Sequence, residues 1–311
     1  MSEMRITRAS AGVFPVLATP FAPDGAPDHA SLSRMVERFL AMGAHGFTIL
    51  GVMGEADRMD GGEASAVAET VMAAVAGACP VIHGVSAPGL DVVRQRAEVA
   101  MAMGAAGVML APPRGLGPDE RIVGWFDAVL AALGDIPVCY QDYPQITGAP
   151  ISLAALQGLF ARHANLVMLK HEASPGLGRI SALNAMPEPP SILVGNNALF
   201  IPLELARGAD GIMTGFPYPD VLVEVWRRHQ AGDLDTAEDL YDAFLPLIRY
   251  ETQPGLAMAG RKYVLHRRGF LADPALRGPA AALSDRDRQE IERLMARCEA
   301  RAADLGVRVA T

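Results

Sequence analysis

Short apolar runs, each bounded by Gly or Pro, recur along the chain: Phe14–Thr19, Gly46–Leu50, Pro80–Val85, Gly107–Ala111, Pro137–Tyr140, Asn165–Lys170, Ser191–Gly195 and Gly211–Thr214. These eight runs are rich in Val, Ile, Leu or Phe, as expected of strands buried on both faces. Between them the apolar positions follow helical spacing. Asp28–Met42 carries Leu32, Met35, Val36, Phe39 and Leu40 on one face, and Leu90–Met103 and Glu120–Leu133 behave likewise. Asp28 and Ser152 are candidate N-caps, and Gly43-Ala44, Gly104-Ala105 and Gly208-Ala209 mark helix ends. Eight strand–helix alternations predict an α/β fold, a (β/α)8 TIM barrel over residues 1–230. Residues 231–311 read as helices only, over Leu234–Tyr250, Leu256–Arg268 and Asp285–Leu305. Ser284 caps the last of these, with Asp285 and Asp287 in its first turn. No Pro/Gly/Ser-rich linker intervenes, which predicts a C-terminal helical extension packed on the barrel in the same domain.

Composition narrows the class. A net charge of −8 and the lack of a basic stripe with interleaved aromatics argue against a nucleic-acid partner. No run of about 18 apolar residues offers a membrane span. Met1-Ser2-Glu3-Met4-Arg5 lacks the apolar segment of a signal peptide. The three cysteines, Cys79, Cys139 and Cys298, are widely spaced and form no metal-ligand pattern. An odd count suits a reducing compartment, so the reading is a soluble cytoplasmic protein.

The sharper signal is lysine. Only two occur, Lys170 and Lys262, in a chain whose lysines and arginines number 27. Lys170 ends an apolar strand, where burial disfavours the ammonium and so favours the neutral amine, a nucleophile toward ketones. Lys262 falls in a C-terminal stretch read as a solvated helix. GC-rich coding that replaced lysine with arginine and left Lys170 by chance explains the count equally well.

In a barrel the chemistry sits at the C-terminal strand ends. Those ends hold Thr19-Pro20, Gly51-Val52-Met53-Gly54-Glu55, His83, Arg114, Tyr140-Gln141-Asp142-Tyr143, Lys170-His171-Glu172, Gly195-Asn196-Asn197 and Met213-Thr214. Alternation along a strand places Lys170 and Glu172 on one face, and Tyr140 and Asp142 on one face. A carboxylate beside Lys170 accepts protons but also favours the ammonium, so their separation matters. Tyr140 suits a proton relay because a phenol both donates and accepts. The glycines of Gly51-Val52-Met53-Gly54 allow backbone N–H groups to approach a carboxylate, although such a turn is more often only a turn. His83 and His171 lack the pairing of metal ligands and read as structural.

Taken in order, these features resemble the dihydrodipicolinate synthase and N-acetylneuraminate lyase superfamily of class I aldolases and dehydratases. Val16-Leu17-Ala18-Thr19-Pro20-Phe21 resembles its first strand, and Gly51-Val52-Met53-Gly54-Glu55 stands where the family has Gly-Thr-Thr-Gly-Glu. Pro144-Gln145-Ile146-Thr147-Gly148 resembles the end of its Tyr-Asn-x-Pro-x-x-Thr-Gly motif, and Leu169-Lys170-His171-Glu172-Ala173-Ser174 its Schiff-base lysine segment. Gly208–Thr214 resembles the strand lining the keto-acid pocket, and Arg277-Gly278-Pro279 with Leu283-Ser284-Asp285 the family's tail. The departures are in functional positions. Val52 and Met53 replace two threonines; Gln141 falls at the tyrosine position, with Tyr140 one residue earlier; Ile146 replaces the synthase's arginine, for which Arg114 and Arg58 are candidate replacements. A one-residue shift flips a strand side chain to the other face, and a bulge would restore Tyr140.

The resemblance implies a lyase forming a Schiff base on Lys170 with pyruvate or another 2-keto acid. Tyr140, Glu172 and Asp142 are the acid/base candidates. Gly51, Met53, Gly54, Glu55, Gly195, Met213 and Thr214 are the substrate-binding candidates. No metal or organic cofactor is expected, and family analogy implies a homodimer or homotetramer. The Gln141-Asp142-x-Pro pattern is similar to relatives that dehydrate 2-keto-3-deoxy sugar acids. Outside the enzymes, the missing relay hydroxyls fit a barrel that only binds a keto acid. A metal-dependent aldolase is disfavoured because the strand ends lack clustered ligands.

Overall fold

The computed structural model describes residues 4–253 and 255–310; residues 1–3 of the N-terminal segment considered above lie outside it. Eight strands form one curled parallel sheet in the order β1-β8-β7-β6-β5-β4-β3-β2. They are β1 (Gly12–Val13), β2 (Phe47–Ile49), β3 (Val81–Gly84), β4 (Gly107–Leu110), β5 (Val138–Asp142), β6 (Leu166–His171), β7 (Ser191–Val194) and β8 (Gly211–Ile212). The first strand falls just before the expected Phe14–Thr19 run, within which Pro15 has no N–H to give a ladder. Its extension still bonds both neighbours. Phe14 N donates to Ile212 O (2.8 Å) and Val16 N to Thr214 O (3.0 Å), while Leu17 N donates to Thr48 O (2.9 Å) and Thr48 N to Pro15 O (3.0 Å). The two ends of the strand order therefore meet.

The helices are α1 (His29–Ala41), α2 (Gly61–Val75), α3 (Leu90–Ala102), α4 (Asp119–Leu133), α5 (Pro144–Thr147), α6 (Leu153–Arg162), α7 (Leu177–Asn184), α8 (Ile201–Leu205), α9 (Pro219–Gln230), α10 (Leu234–Glu251), α11 (Ala257–Arg267) and α12 (Asp285–Asp304). Local chemistry sets several boundaries. Asp28 accepts from Ser31 N at the start of α1, and Ser152 from Ala155 N at the start of α6. Asp60 with Glu63, and Ser284 with Asp287, form reciprocal capping boxes. Such a cap contributes about 1 kcal/mol.

Side chains from successive strands define two sides of the sheet. Met109, Cys139, Met168, Leu193 and Met213, from β4 to β7 and the residue after β8, pack together with Val16 and Phe47 in the interior. Val108, Val138, Tyr140, Leu169 and Val194 face the other way, against helix residues such as Phe126 and Leu159. The tail lies against the strand–helix unit through specific bonds: Tyr241 Oη to Ala198 O (2.9 Å), Arg268 to Asp220 (2.9 Å) and Lys262 to Glu55 (2.5 Å). Helix α11 is buried all round from Ala259 to Leu265.

Candidate active site

The alignment of β5 on β6 decides which groups meet Lys170. Tyr140 pairs with Leu169, Gln141 with Lys170 and Asp142 with His171. In-register neighbours in a parallel sheet project to the same face. Gln141 therefore joins Lys170 on the interior side, and Tyr140 joins Leu169 on the helix side. Contacts agree with this assignment. Gln141 Nε2 donates to Glu172 Oε2 at 2.8 Å, and Lys170 Nζ lies 3.4 Å from the same oxygen. All three residues are buried. Alternation thus holds for Lys170 and Glu172, as the strand period predicts.

Two further features position Glu172, one at its backbone carbonyl and one at its side chain. Gln145 Nε2 donates to Glu172 O (3.1 Å) from α5. Gly195, at the end of β7, leaves room for the side chain: a Cβ there would lie 2.8 Å from Glu172 Cγ. Beneath the lysine, Cys139 is wholly buried and its thiol is pushed up to about 12, chiefly by burial. It is no competing nucleophile.

The turn after β2 opens at the same end of the sheet. Gly54 N donates to Gly51 O (3.0 Å), Glu55 N to Val52 O (3.1 Å), and Thr19 Oγ1 to Gly54 O (2.7 Å). Among the described residues, the N–H groups of Val52 and Met53 have no acceptor. Val52 is 45% exposed, whereas Met53 is buried over Gly215, where a Cβ would come within 2.8 Å of Met53 Cγ. Met213 lies in the interior core, and Thr214 follows it, also buried.

Four readings of the sequence need correction. Tyr140 is fully buried on the helix side, stacked on Phe126 with ring centroids 4.5 Å apart, and its hydroxyl has no hydrogen-bond partner among the described residues. It is a core aromatic on the opposite face from Lys170, not a relay. The one register irregularity between β5 and β6 lies at Val138/Cys139, upstream of the tyrosine, and leaves Gln141 beside Lys170. Asp142 is on that same outer face, 3.3 Å from Arg179 and 3.8 Å from His171 Nδ1. Burial raises its carboxyl to about 6, opposed by Arg179. Glu55 turns away from the site. Its Oε1 is 2.5 Å from Lys262 Nζ, and its Oε2 accepts from Arg58 Nη1 (2.8 Å) and Arg277 N (3.0 Å).

Lys262 is likewise not on a solvated helix face. It is 0% exposed, and burial lowers its pKa against the opposing pull of Glu55. Apolar neighbours on both sides, in Ala257-Met258-Ala259 and Tyr263-Val264-Leu265, were the available signal. Arg261 was also missed. It pairs with buried Glu251 (3.0 Å) and donates to Asn197 Oδ1 (2.7 Å), holding the β7 loop in which Asn196, Asn197 and Ala198 all have left-handed φ values of 37°, 56° and 65°. Arg58 is committed to Glu55, while Arg114 is exposed. His83 and His171 are buried and pushed down to about 4 by burial, hence neutral. Among the described residues, no group of three His, Cys, Asp or Glu is placed to hold a metal ion, and no helix is long and apolar enough to cross a membrane.

Comparison with known proteins identifies the family. The chain is 43% identical to a dihydrodipicolinate synthase from Rhodopseudomonas palustris whose crystal structure superposes with a TM-score of 0.91, covering 94% of this chain and 99% of that one. It is 31% identical over 297 residues to 4-hydroxy-tetrahydrodipicolinate synthase of Sorangium cellulosum, covering 93% of this chain and 96% of the relative. It is also 31% identical over 293 residues to L-2-keto-3-deoxyarabonate dehydratase of Azospirillum brasilense, covering 90% and 92%. The model of the Dihydrodipicolinate synthetase family matches residues 9–298, and the chain is an enzyme of that family, a lyase.

Proposed function

We propose that this enzyme forms a Schiff base between Lys170 and a 2-keto acid and uses Glu172, in place of a tyrosine, to move protons. The observation that carries the reading is the buried set of Lys170 Nζ, Glu172 Oε2 and Gln141 Nε2, with contacts of 3.4 and 2.8 Å about one carboxylate oxygen. The curled sheet is read as a closed (β/α)8 barrel with this set at its mouth. No cofactor enters the reading.

The neutral Lys170 amine adds to the C2 carbonyl. The carbinolamine loses its hydroxyl as water, with a proton from the Glu172 carboxyl, leaving a protonated imine. That imine accepts an electron pair from C3 when the C3 proton passes to Glu172, giving an enamine. A leaving hydroxide at C4 departs as water when the carboxyl returns that proton. In an aldol cleavage the C3–C4 bond supplies the same electron pair, and the C4 hydroxyl proton goes to the carboxylate. Hydrolysis of the imine frees the lysine. A positioned acid/base group supplies about 10²–10⁴-fold. The turn at Gly51, Val52, Met53 and Gly54 holds the substrate carboxylate through free N–H groups.

Within this chemistry, dehydration of a neutral hydroxylated keto acid is favoured over synthesis of a dicarboxylic product. Ile146 stands at the synthase's arginine position and is 41% exposed, so that position itself offers a second carboxylate no cation. Borohydride trapping with pyruvate and a panel of 2-keto acids, followed by peptide mapping, tests the imine. An adduct on Lys170 supports it; absence of any adduct with any acid overturns it. Release of water from a 2-keto-3-deoxy sugar acid, without turnover of pyruvate plus aspartate semialdehyde, separates dehydratase from synthase.

A further inference from the structure

The second lysine is unused in this chemistry, yet it is the most completely enclosed cation of the tail. Lys262 Nζ lies 2.5 Å from Glu55 Oε1, donates to Ala275 O at 2.8 Å and sits 4.3 Å over the Phe21 ring. Both side chains of the ion pair are 0% exposed. The other Glu55 oxygen takes Arg58 Nη1 and Arg277 N. Arg277 pairs with Glu63, donates to Gly25 O (2.9 Å) and covers Phe21 from 4.6 Å. The bonds from Lys262, Arg58 and the Arg277 N–H converge on Glu55, the residue directly after Gly51-Val52-Met53-Gly54.

That turn is under conformational tension at both ends. Leu50 and Glu55 have left-handed φ values of 55° and 51°, although neither is glycine. Such residues persist only where their surroundings over-determine them. An ion pair buried this deeply is a weak source of stability compared with apolar side chains of similar volume. Its exact placement at the foot of the turn is what an apolar pair would not reproduce.

We propose that Lys262 is a positioning residue for the substrate carboxylate. Through Glu55 it fixes the Gly51–Gly54 turn, and so the free N–H groups of Val52 and Met53, to receive that carboxylate. The inference rests on the reading that Lys170 forms the imine and that this turn binds the acid.

The test compares borohydride trapping on Lys170 with pyruvate and with hydroxyacetone, a ketone lacking the carboxylate. In Lys262→Met the half-saturating pyruvate concentration is expected to rise about tenfold, the loss of roughly one charge-assisted hydrogen bond. The value for hydroxyacetone and the trapping rate at saturation stay as in the parent. Lys262→Arg should recover part of the preference for pyruvate. Glu55→Gln, which keeps an acceptor for Arg277 N, should shift it in the same direction by less, and these two variants decide the matter if Lys262→Met does not fold. A folded variant that keeps the pyruvate preference, or that loses both ketones in parallel, overturns the positioning role while leaving the imine intact. A parent enzyme that traps neither ketone overturns the imine and this proposal with it.

Discussion

The two lysines are both buried, and their surroundings could hardly differ more. Lys170 has one carboxylate at 3.4 Å, shared with Gln141. Lys262 has a carboxylate at 2.5 Å, a carbonyl at 2.8 Å and an aromatic face. Burial alone therefore does not mark a nucleophile. An amine that is to attack a ketone needs an unfilled valence of contacts, and a structural ammonium needs every donor satisfied. The comparison predicts that one lysine carries reactivity and the other carries architecture.

The largest effect expected is in activity: Lys170→Ala eliminates turnover and all trapping, and retained full activity would refute the covalent mechanism. Glu172→Gln should lower kcat by about 10²–10⁴-fold while leaving Lys170 trappable, as steady-state rates and mass mapping will show. In stability the order reverses. Lys262→Met takes from Glu55 its closer cation, leaving Arg58 and the Arg277 N–H, and takes the ammonium from Ala275 O and the Phe21 ring as well. It should cost about 3–5 kcal/mol in denaturant unfolding, more than Lys170→Met, which gives up the single 3.4 Å contact with Glu172. Equal losses would remove the distinction between the two sites. Tyr140→Phe sharpens the contrast between the two faces of β5. Its hydroxyl is buried without a partner, so its removal should be neutral or stabilising by up to about 1 kcal/mol, with activity within about twofold. A hundredfold loss would restore the phenol to the chemistry.

The smallest effect is a pH dependence on that outer face. Asp142 titrates near 6 in the fold, raised by burial from an ordinary 3.8. The native state then holds this proton more tightly than the unfolded chain. Its contribution to stability is complete below pH about 4 and is lost as pH rises through about 6. Asp142→Asn should flatten that part of the stability curve relative to the parent; superimposable slopes would argue that Arg179 keeps the carboxyl ionised throughout.

Much of the architecture was legible in the chain. Apolar runs closed by Gly or Pro located β2 to β8 and lay just after β1, and Asp28, Ser152 and Ser284 marked helix starts that the fold uses. Lys170 and Glu172 were legible as a pair because alternation within one strand is local. Tyr140 against Gln141 was not. That choice depends on how β5 aligns with β6, and the register of a parallel pair is set across an intervening helix rather than by neighbours in sequence. Lys262 was misread for a similar reason. Its charge suggests solvent, whereas its partners Glu55 and Phe21 come from loops at the far end of the chain. Ion pairs across such separations leave no periodic trace.

The clamp on Glu55 also orders events during synthesis. Chains emerge N-terminus first and fold by units as they become available. The turn after β2 is among the earliest parts to leave the ribosome, yet Lys262 and Arg277, which secure it, are among the last. Under the proposed chemistry, a nascent chain bearing Lys170 but not its final helices would hold its amine without a gripped acid. If Lys262 positions the turn as proposed, the enzyme's grip on a keto acid is deferred until the polypeptide is nearly finished.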